Sequence, residues 1–307
     1  MAAEGIVVNS VATGTIDIGH QGTRVSDLFS LIKPEITFAN LMAAAAGLWV
    51  GAHGRPDLWS AVFTLLGSAL VVGGGAALNN FVDRDIDDKM QRTQNRPLVA
   101  GRLEPHVALR LGIGLSVSGL TVLLFLVNFT AAACAFAGLV VYSYFYTVWL
   151  KRTTSLNTVL GGISGALPPL IGYAGGNGGH LGWTAWSLFL IFLLWQPPHF
   201  FPLAMKRVEE YRAAGIPMLP VVRGFAVTKW HILFYTVLIL PVSFLPYVLH
   251  AENLIYLVVS MVLGLGFLAK ALQGLFAKDD VVWAKGMFSY SLIYLTTLCI
   301  AFVVGTL

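Results

Sequence analysis

The chain has 307 residues, 57% of them hydrophobic and only 11% charged, with a mean hydropathy of +0.76 and a formal net charge of +4 at pH 7. This balance excludes an ordinary soluble domain and puts the protein in a bilayer. The basic excess follows an asymmetry between the two membrane faces, so it does not point to nucleic acid.

In chain order, residues 1–25 are polar and Gly-rich, with Arg24 as their one basic residue. They lack the charged start and short apolar core of a signal peptide, and Glu4 and Asp17 argue against a mitochondrial transit peptide. A flexible tail is expected there, followed by a single membrane domain over 26–307. Nine apolar segments of spanning length follow, near 35–53, 59–80, 106–126, 129–148, 156–174, 182–203, 230–250, 253–272 and 287–306. Helices are the expected form, because an open strand in lipid leaves its backbone groups unsatisfied. The fold class is therefore all-α, a nine-helix membrane bundle. With the N-terminus inside, Arg55 is the one basic residue of 19 left outside. The positive-inside rule thus predicts a cytoplasmic N-terminus and a periplasmic C-terminus in a bacterial inner membrane. Cys134 and Cys299 fall within spans and read as small apolar core residues, with no disulfide framework.

The two longest inside loops, 81–105 and 204–229, follow the second and sixth spans. This spacing suggests two similarly built halves whose loops share one cavity mouth. In the first loop region the chain reads LNNFVDRDIDDKMQRTQNRPLVAGR over 78–102. Asn79, Asp83 and Asp87 recur every four residues, so on a helix they share one face within about two turns. Carboxylates this close repel one another unless a cation or water screens them. Mg²⁺ takes oxygen ligands, typically one or two carboxylates plus waters and substrate phosphates. Basic residues interleave with the acids, so the pattern suits a divalent metal held together with an anion such as a diphosphate. A solvated loop of ordinary ion pairs is the alternative. Asp85 points about 200° away from Asp83 and reads as a supporting salt-bridge partner.

The stretch NNFVDRDIDDKMQRTQNRPLVAG resembles the signature of UbiA-type intramembrane prenyltransferases. Its continuation, DRDID followed by MxRTxxRPL, resembles the haem-farnesylating branch of that family. YTVWLKRTTSLNTVLGGISGALPPLIGY at 146–173, WQPPHF at 195–200 and YRAAGIPMLPVV at 211–222 point the same way and in the same order. The resemblance implies nine transmembrane helices around a central cavity open to lipid. It also implies transfer of the farnesyl group of farnesyl diphosphate to a vinyl group of haem B. Water addition would give haem O, and haem A synthase is a partner placed to take it. Asn79, Asp83 and Asp87 would hold Mg²⁺ and diphosphate, with Arg92, Arg96 and Lys151 neutralising phosphate oxygens. Asp83, Asp87 and Lys151 form the expected catalytic set. Lys151 also reads as a boundary lysine whose stem snorkels, the role expected of Arg152.

His199 lies in Gln196-Pro197-Pro198-His199, where prolines remove helix donors. An intramembrane histidine commonly marks function, and haem iron accepts histidine. His199 is expected to line a site for haem, a substrate here, although a hydrogen-bonded structural histidine fits the sequence as well. Most of the family carries a second acidic pair where this chain has Arg207 and Tyr211, flanked by Glu209 and Glu210. That departure favours haem over a phenolic acceptor and puts a second metal in doubt. Arg207 and Tyr211 join His199 as the expected haem-binding set. Gly161, Gly162, Gly165, Pro168 and Pro169 either admit a bulky ligand or serve close helix packing. Two alternatives stay open: a UbiA-type enzyme with a quinone-precursor or other aromatic acceptor, and a cation-coupled transporter using the acidic cluster as its ion site.

Overall fold

A computed structural model describes residues 25–306; the expected flexible tail lies outside the described residues except for Val25. Among the described residues the regular structure is entirely helical: α1 (Val25–Leu31), α2 (Pro34–Gly51), α3 (Leu58–Asp87), α4 (Pro105–Leu126), α5 (Phe129–Val140), a π-helical segment (Val141–Leu150), α6 (Lys151–Thr153), α7 (Asn157–Gly176), α8 (Trp183–Lys206), α9 (Val208–Ala213), α10 (Leu219–Val248), α11 (Leu254–Leu275) and α12 (Asp280–Gly305). With α5, the π segment and α6 counted as one rod over Phe129–Thr153, each expected span has a long helix. Seven of these are long and apolar enough to cross a membrane by length and composition. The other two, α2 and α7, fall short of that measure, so the count of nine spans is not fully matched. Both are rich in Gly and Ala because they lie against each other inside the bundle. A Cβ on Gly47 would come 2.0 Å from the Pro169 carbonyl oxygen, and one on Gly172 would come 1.8 Å from that of Ala44. Small residues let backbones approach this closely where lipid supplies no hydrophobic drive.

The surface is apolar, as a lipid-facing bundle requires: Phe38, Phe125, Trp183, Val262 and Ile300 are all exposed. Inside, the main core joins α2, α7, α8, α10, α11 and α12 through Phe192, Phe201, Phe267, Tyr294 and Phe302. The chain is a multi-pass membrane protein.

Several helices outrun the apolar segments that marked them. The expected second span ends at 80, whereas α3 continues to Asp87; α12 begins at Asp280, seven residues before the expected start. At 1.5 Å per residue, the 30 residues of α3 extend about 45 Å, well beyond a hydrocarbon core of about 30 Å. Hydropathy marks the part in lipid; the polar ends stay helical beyond it. The two long polar loops, 81–105 and 204–229, meet. Ile86 and Met90 of the first pack in one cluster with Ala214, Ile216 and Met218 of the second.

Candidate functional site

The helical overrun of α3 builds the acidic site. Asp57 caps its first turn, accepting from the Ser60 amide at 2.8 Å. At the other end the Thr93 hydroxyl donates to the Asp87 carbonyl at 2.6 Å and closes the last turn. Asn79, Asp83 and Asp87 therefore fall on one buried face, with relative exposures of 3%, 1% and 2%. Carboxylates buried this deeply need partners, and other elements supply them. Lys151, where the π segment passes into α6, donates to Asp83 Oδ2 at 2.6 Å. Arg96, from the loop after α3, pairs with Asp87. Asn79 Nδ2 donates to Asp83 Oδ2 at 2.8 Å, and Lys33 Nζ donates to Asn79 Oδ1 at 2.5 Å.

Lys33 sits between α1 and α2 with left-handed backbone (φ 47°). Burial, reinforced by the nearby Arg96 guanidinium, holds its amine down to about 7. A carboxylate or phosphate entering the site would raise it again. In the sequence Lys33 is only one of the 18 basic residues on the inside of the predicted topology. Its role rests on a contact 46 positions away, which spacing cannot reveal. Thr147 is hidden from sequence for the same reason, since it meets Asn79 from 68 positions away.

Arg152 forks onto Asp85 with bonds of 2.6 and 2.7 Å, so Asp85 has the ion-pair role expected of it. Arg152 also donates to the Val82 carbonyl, tying α6 to α3 rather than merely marking a boundary. Arg92 lies apart from Asp83 and Asp87 in a second polar group. It stands 3.9 Å from Glu210, which also receives Arg207 at 3.2 Å. Tyr211 belongs to this group; burial pushes its phenol up, with Arg92 and Arg207 opposing. His199 forms a third group with α12. Its ring stacks on Trp195 at 4.3 Å and on Phe288 at 4.8 Å, and Nδ1 lies 2.7 Å from Ser291 Oγ. The structure thus brings together Asn79, Asp83, Asp87, Lys151 and Arg96. It puts Arg92 with Arg207 and Tyr211, and gives His199 a separate setting. The small face of α7 is filled by protein: a Cβ on Gly161 would strike Tyr146, and one on Gly165 would strike Gln196.

The acidic group suits a hard divalent cation. Asp83 Oδ1 is buried and accepts no hydrogen bond, with the Arg152 guanidinium 3.8 Å away. Such an orphaned anionic oxygen is costly unless something fills it. Two carboxylates and one amide oxygen are the protein donors. Among the described residues no third His, Cys, Asp or Glu completes a metal cage. That set fits Mg²⁺, which draws its remaining ligands from water and substrate phosphate.

Comparison with known proteins agrees with this chemistry. Residues 40–293 match the UbiA prenyltransferase family. The chain belongs to that family. This prenyltransferase is 45% identical over 311 residues to the protoheme IX farnesyltransferase of Geobacillus kaustophilus, covering 98% of this chain and 99% of the relative. Its fold is similar to that of a digeranylgeranylglyceryl phosphate synthase, with a TM-score of 0.78 at 20% identity over 92% of this chain and 98% of that one. It is also similar to a UbiA homologue from Archaeoglobus fulgidus bound to GPP and Mg²⁺. There the TM-score is 0.63 at 17% identity, over 91% of this chain and 99% of that one.

Proposed function

We propose that this prenyltransferase joins the farnesyl group of farnesyl diphosphate to haem B and produces haem O. The observation that carries the chemistry is the buried face of Asn79, Asp83 and Asp87, ringed by Lys33, Arg96 and Lys151. The acceptor rests on the near-full-length similarity to a protoheme IX farnesyltransferase.

In the reaction, the bond between farnesyl C1 and the diphosphate oxygen breaks, and its electron pair leaves with diphosphate. The allylic carbon joins the terminal carbon of a haem vinyl group. Water adds to the neighbouring carbon and loses a proton, leaving a hydroxyethylfarnesyl side chain. Mg²⁺, held by Asn79, Asp83 and Asp87, would neutralise charge on the leaving diphosphate. Lys151, Arg96 and Lys33 do the same with fixed cations in a water-poor site, where such contacts act most strongly. Arg92 is assigned to the diphosphate from the mouth of the site. The bundle of apolar helices keeps water from the reactive chain until coupling.

His199, Arg207 and Tyr211 are assigned to haem B, His199 through its ring and Arg207 through a propionate. The enzyme is assigned to a bacterial inner membrane, N-terminus cytoplasmic and C-terminus periplasmic, which the distribution of basic residues supports. Haem A synthase is the proposed recipient of the product.

The test is an assay of purified, detergent-solubilised protein with haem B, farnesyl diphosphate and Mg²⁺, read by mass spectrometry. Haem gaining a hydroxyethylfarnesyl group, with loss of turnover in EDTA, is the expected result. Prenylation of a phenolic acceptor without a haem product would overturn the acceptor assignment and keep the metal site.

A further inference from the structure

Of the three side chains that hydrogen-bond the Asn79 amide, one carries no charge. Thr147 is fully buried in the π segment. Its hydroxyl oxygen lies 2.7 Å from the Tyr142 carbonyl oxygen and 3.0 Å from Asn79 Nδ2. A hydroxyl has one proton, and a carbonyl can only accept. That proton is therefore committed to Tyr142, and toward Asn79 the Thr147 oxygen is an acceptor. The other Nδ2 proton goes to Asp83, and Oδ1 receives Lys33. The reversed amide would set oxygen against the Asp83 carboxylate and NH₂ against the Lys33 amine. The network thus fixes one orientation of the amide.

The π segment is what brings Thr147 into reach. In an α-helix a threonine hydroxyl returns to the carbonyl three or four residues back; here it returns five back, across the wider turn. Gly75, Asn79 and Asp83 repeat every four residues on α3. They meet Tyr142, Thr147 and Lys151, spaced five and then four. A Cβ on Gly75 would come 3.3 Å from the Tyr142 ring, Asn79 bonds Thr147, and Asp83 bonds Lys151. The additional residue in the turn keeps all three partners facing α3.

We propose that Thr147 is a positioning residue that holds the Asn79 amide with its NH₂ toward Asp83 and its oxygen toward Lys33, the oxygen being the one atom Asn79 can offer a cation. It touches neither substrate nor metal and acts through Asn79 alone. This inference rests on the metal–diphosphate reading of the acidic site.

The test measures Mn²⁺ binding by the purified protein with inorganic diphosphate and no haem, from the electron paramagnetic resonance signal of free Mn²⁺. Thr147→Val keeps the shape and removes the acceptor; it is expected to weaken Mn²⁺ binding about tenfold, whereas Thr147→Ser stays within about twofold of the unmodified protein. In turnover, Thr147→Val should raise the Mg²⁺ concentration for half-maximal rate by a similar factor and leave the KM for haem unchanged. In an Asn79→Ala background, Thr147→Val should add less than about a further twofold, because its route of action is gone. Equal Mn²⁺ binding by Thr147→Val and the unmodified protein would overturn the inference while leaving the metal site standing. Additive losses in the double variant would overturn it too. No Mn²⁺ binding by the unmodified protein would overturn the metal-site reading and this inference with it. Should Thr147→Val fail to insert, Thr147→Ala in the same cycle gives the same readout.

Discussion

Asp83 and Asp87 at one end of the bundle, and Glu252 at the other, are carboxylates withdrawn from water, yet their settings are opposite. Asp83 and Asp87 each face a cation, Lys151 and Arg96, with Lys33 and Arg152 close by. Glu252, in the turn between α10 and α11, has among the described residues only the Thr306 hydroxyl at 3.1 Å, and its second oxygen is buried without a partner among them. Burial pushes its carboxyl up to about 8. One end of the molecule therefore sets basic side chains from separate elements directly against its buried carboxylates. The other holds a neutral acid as a packing group. Burial alone does not make an acidic site; the cations from separate elements do.

Removing the charge at the first end should have the largest effect. Asp83→Asn and Asp87→Asn are each expected to reduce turnover by about 10²–10³-fold or more, with the protein still inserting and folding. Steady-state assays alongside size-exclusion profiles check this, and full turnover in either variant would break the contrast with Glu252. Lys151→Met should follow, at about 10²-fold in kcat/KM for farnesyl diphosphate, because it removes a phosphate partner and leaves Asp83 less balanced. Its KM for haem should not move, a split that a general loss of folding would not give.

How much of this contrast was legible in the sequence depends on distance along the chain. The four-residue spacing of Asn79, Asp83 and Asp87 is a local signal, and α3 realises it by staying helical to Asp87. The apolar runs likewise marked every long helix, because a bundle within a bilayer is apolar both toward lipid and inside. What stayed hidden was non-local. Lys33 and Thr147 reach Asn79 from 46 and 68 residues away. The π segment was hidden too, since one extra residue in a turn barely disturbs an apolar pattern. Helix ends were misplaced because polarity signals the edge of lipid and not the end of hydrogen bonding. In α2 and α7, Gly and Ala serve close packing and dilute the hydropathy that flags a span.

His199 sharpens the comparison from a third position. Stacked between Trp195 and Phe288 and tied to Ser291, it has no ion partner among the described residues. His199→Ala is expected to reduce haem retention about tenfold, read from the haem absorbance that remains after gel filtration, with the KM for farnesyl diphosphate unchanged. A selective loss of farnesyl diphosphate affinity would move His199 to the other substrate.

The smallest effect belongs to Glu252, and its sign is distinctive. An acid whose folded pKa lies at about 8, against an ordinary value of 4.5, holds its proton more tightly folded than unfolded. Between those values the unfolded chain has lost the proton and the folded one keeps it, so stability falls as pH rises from about 4.5 to about 8 and then levels off. Glu252→Gln keeps the shape and the neutral state while removing that dependence. Turnover should be unchanged. The variant's melting temperature should lie close to the unmodified protein's near pH 5 and above it at pH 8.5, the gap opening as pH rises through the interval. Equal pH dependence in the two proteins would mean that Glu252 is ionised where it lies. A cation would then have to stand beside it, and the difference between the two ends of the bundle would vanish.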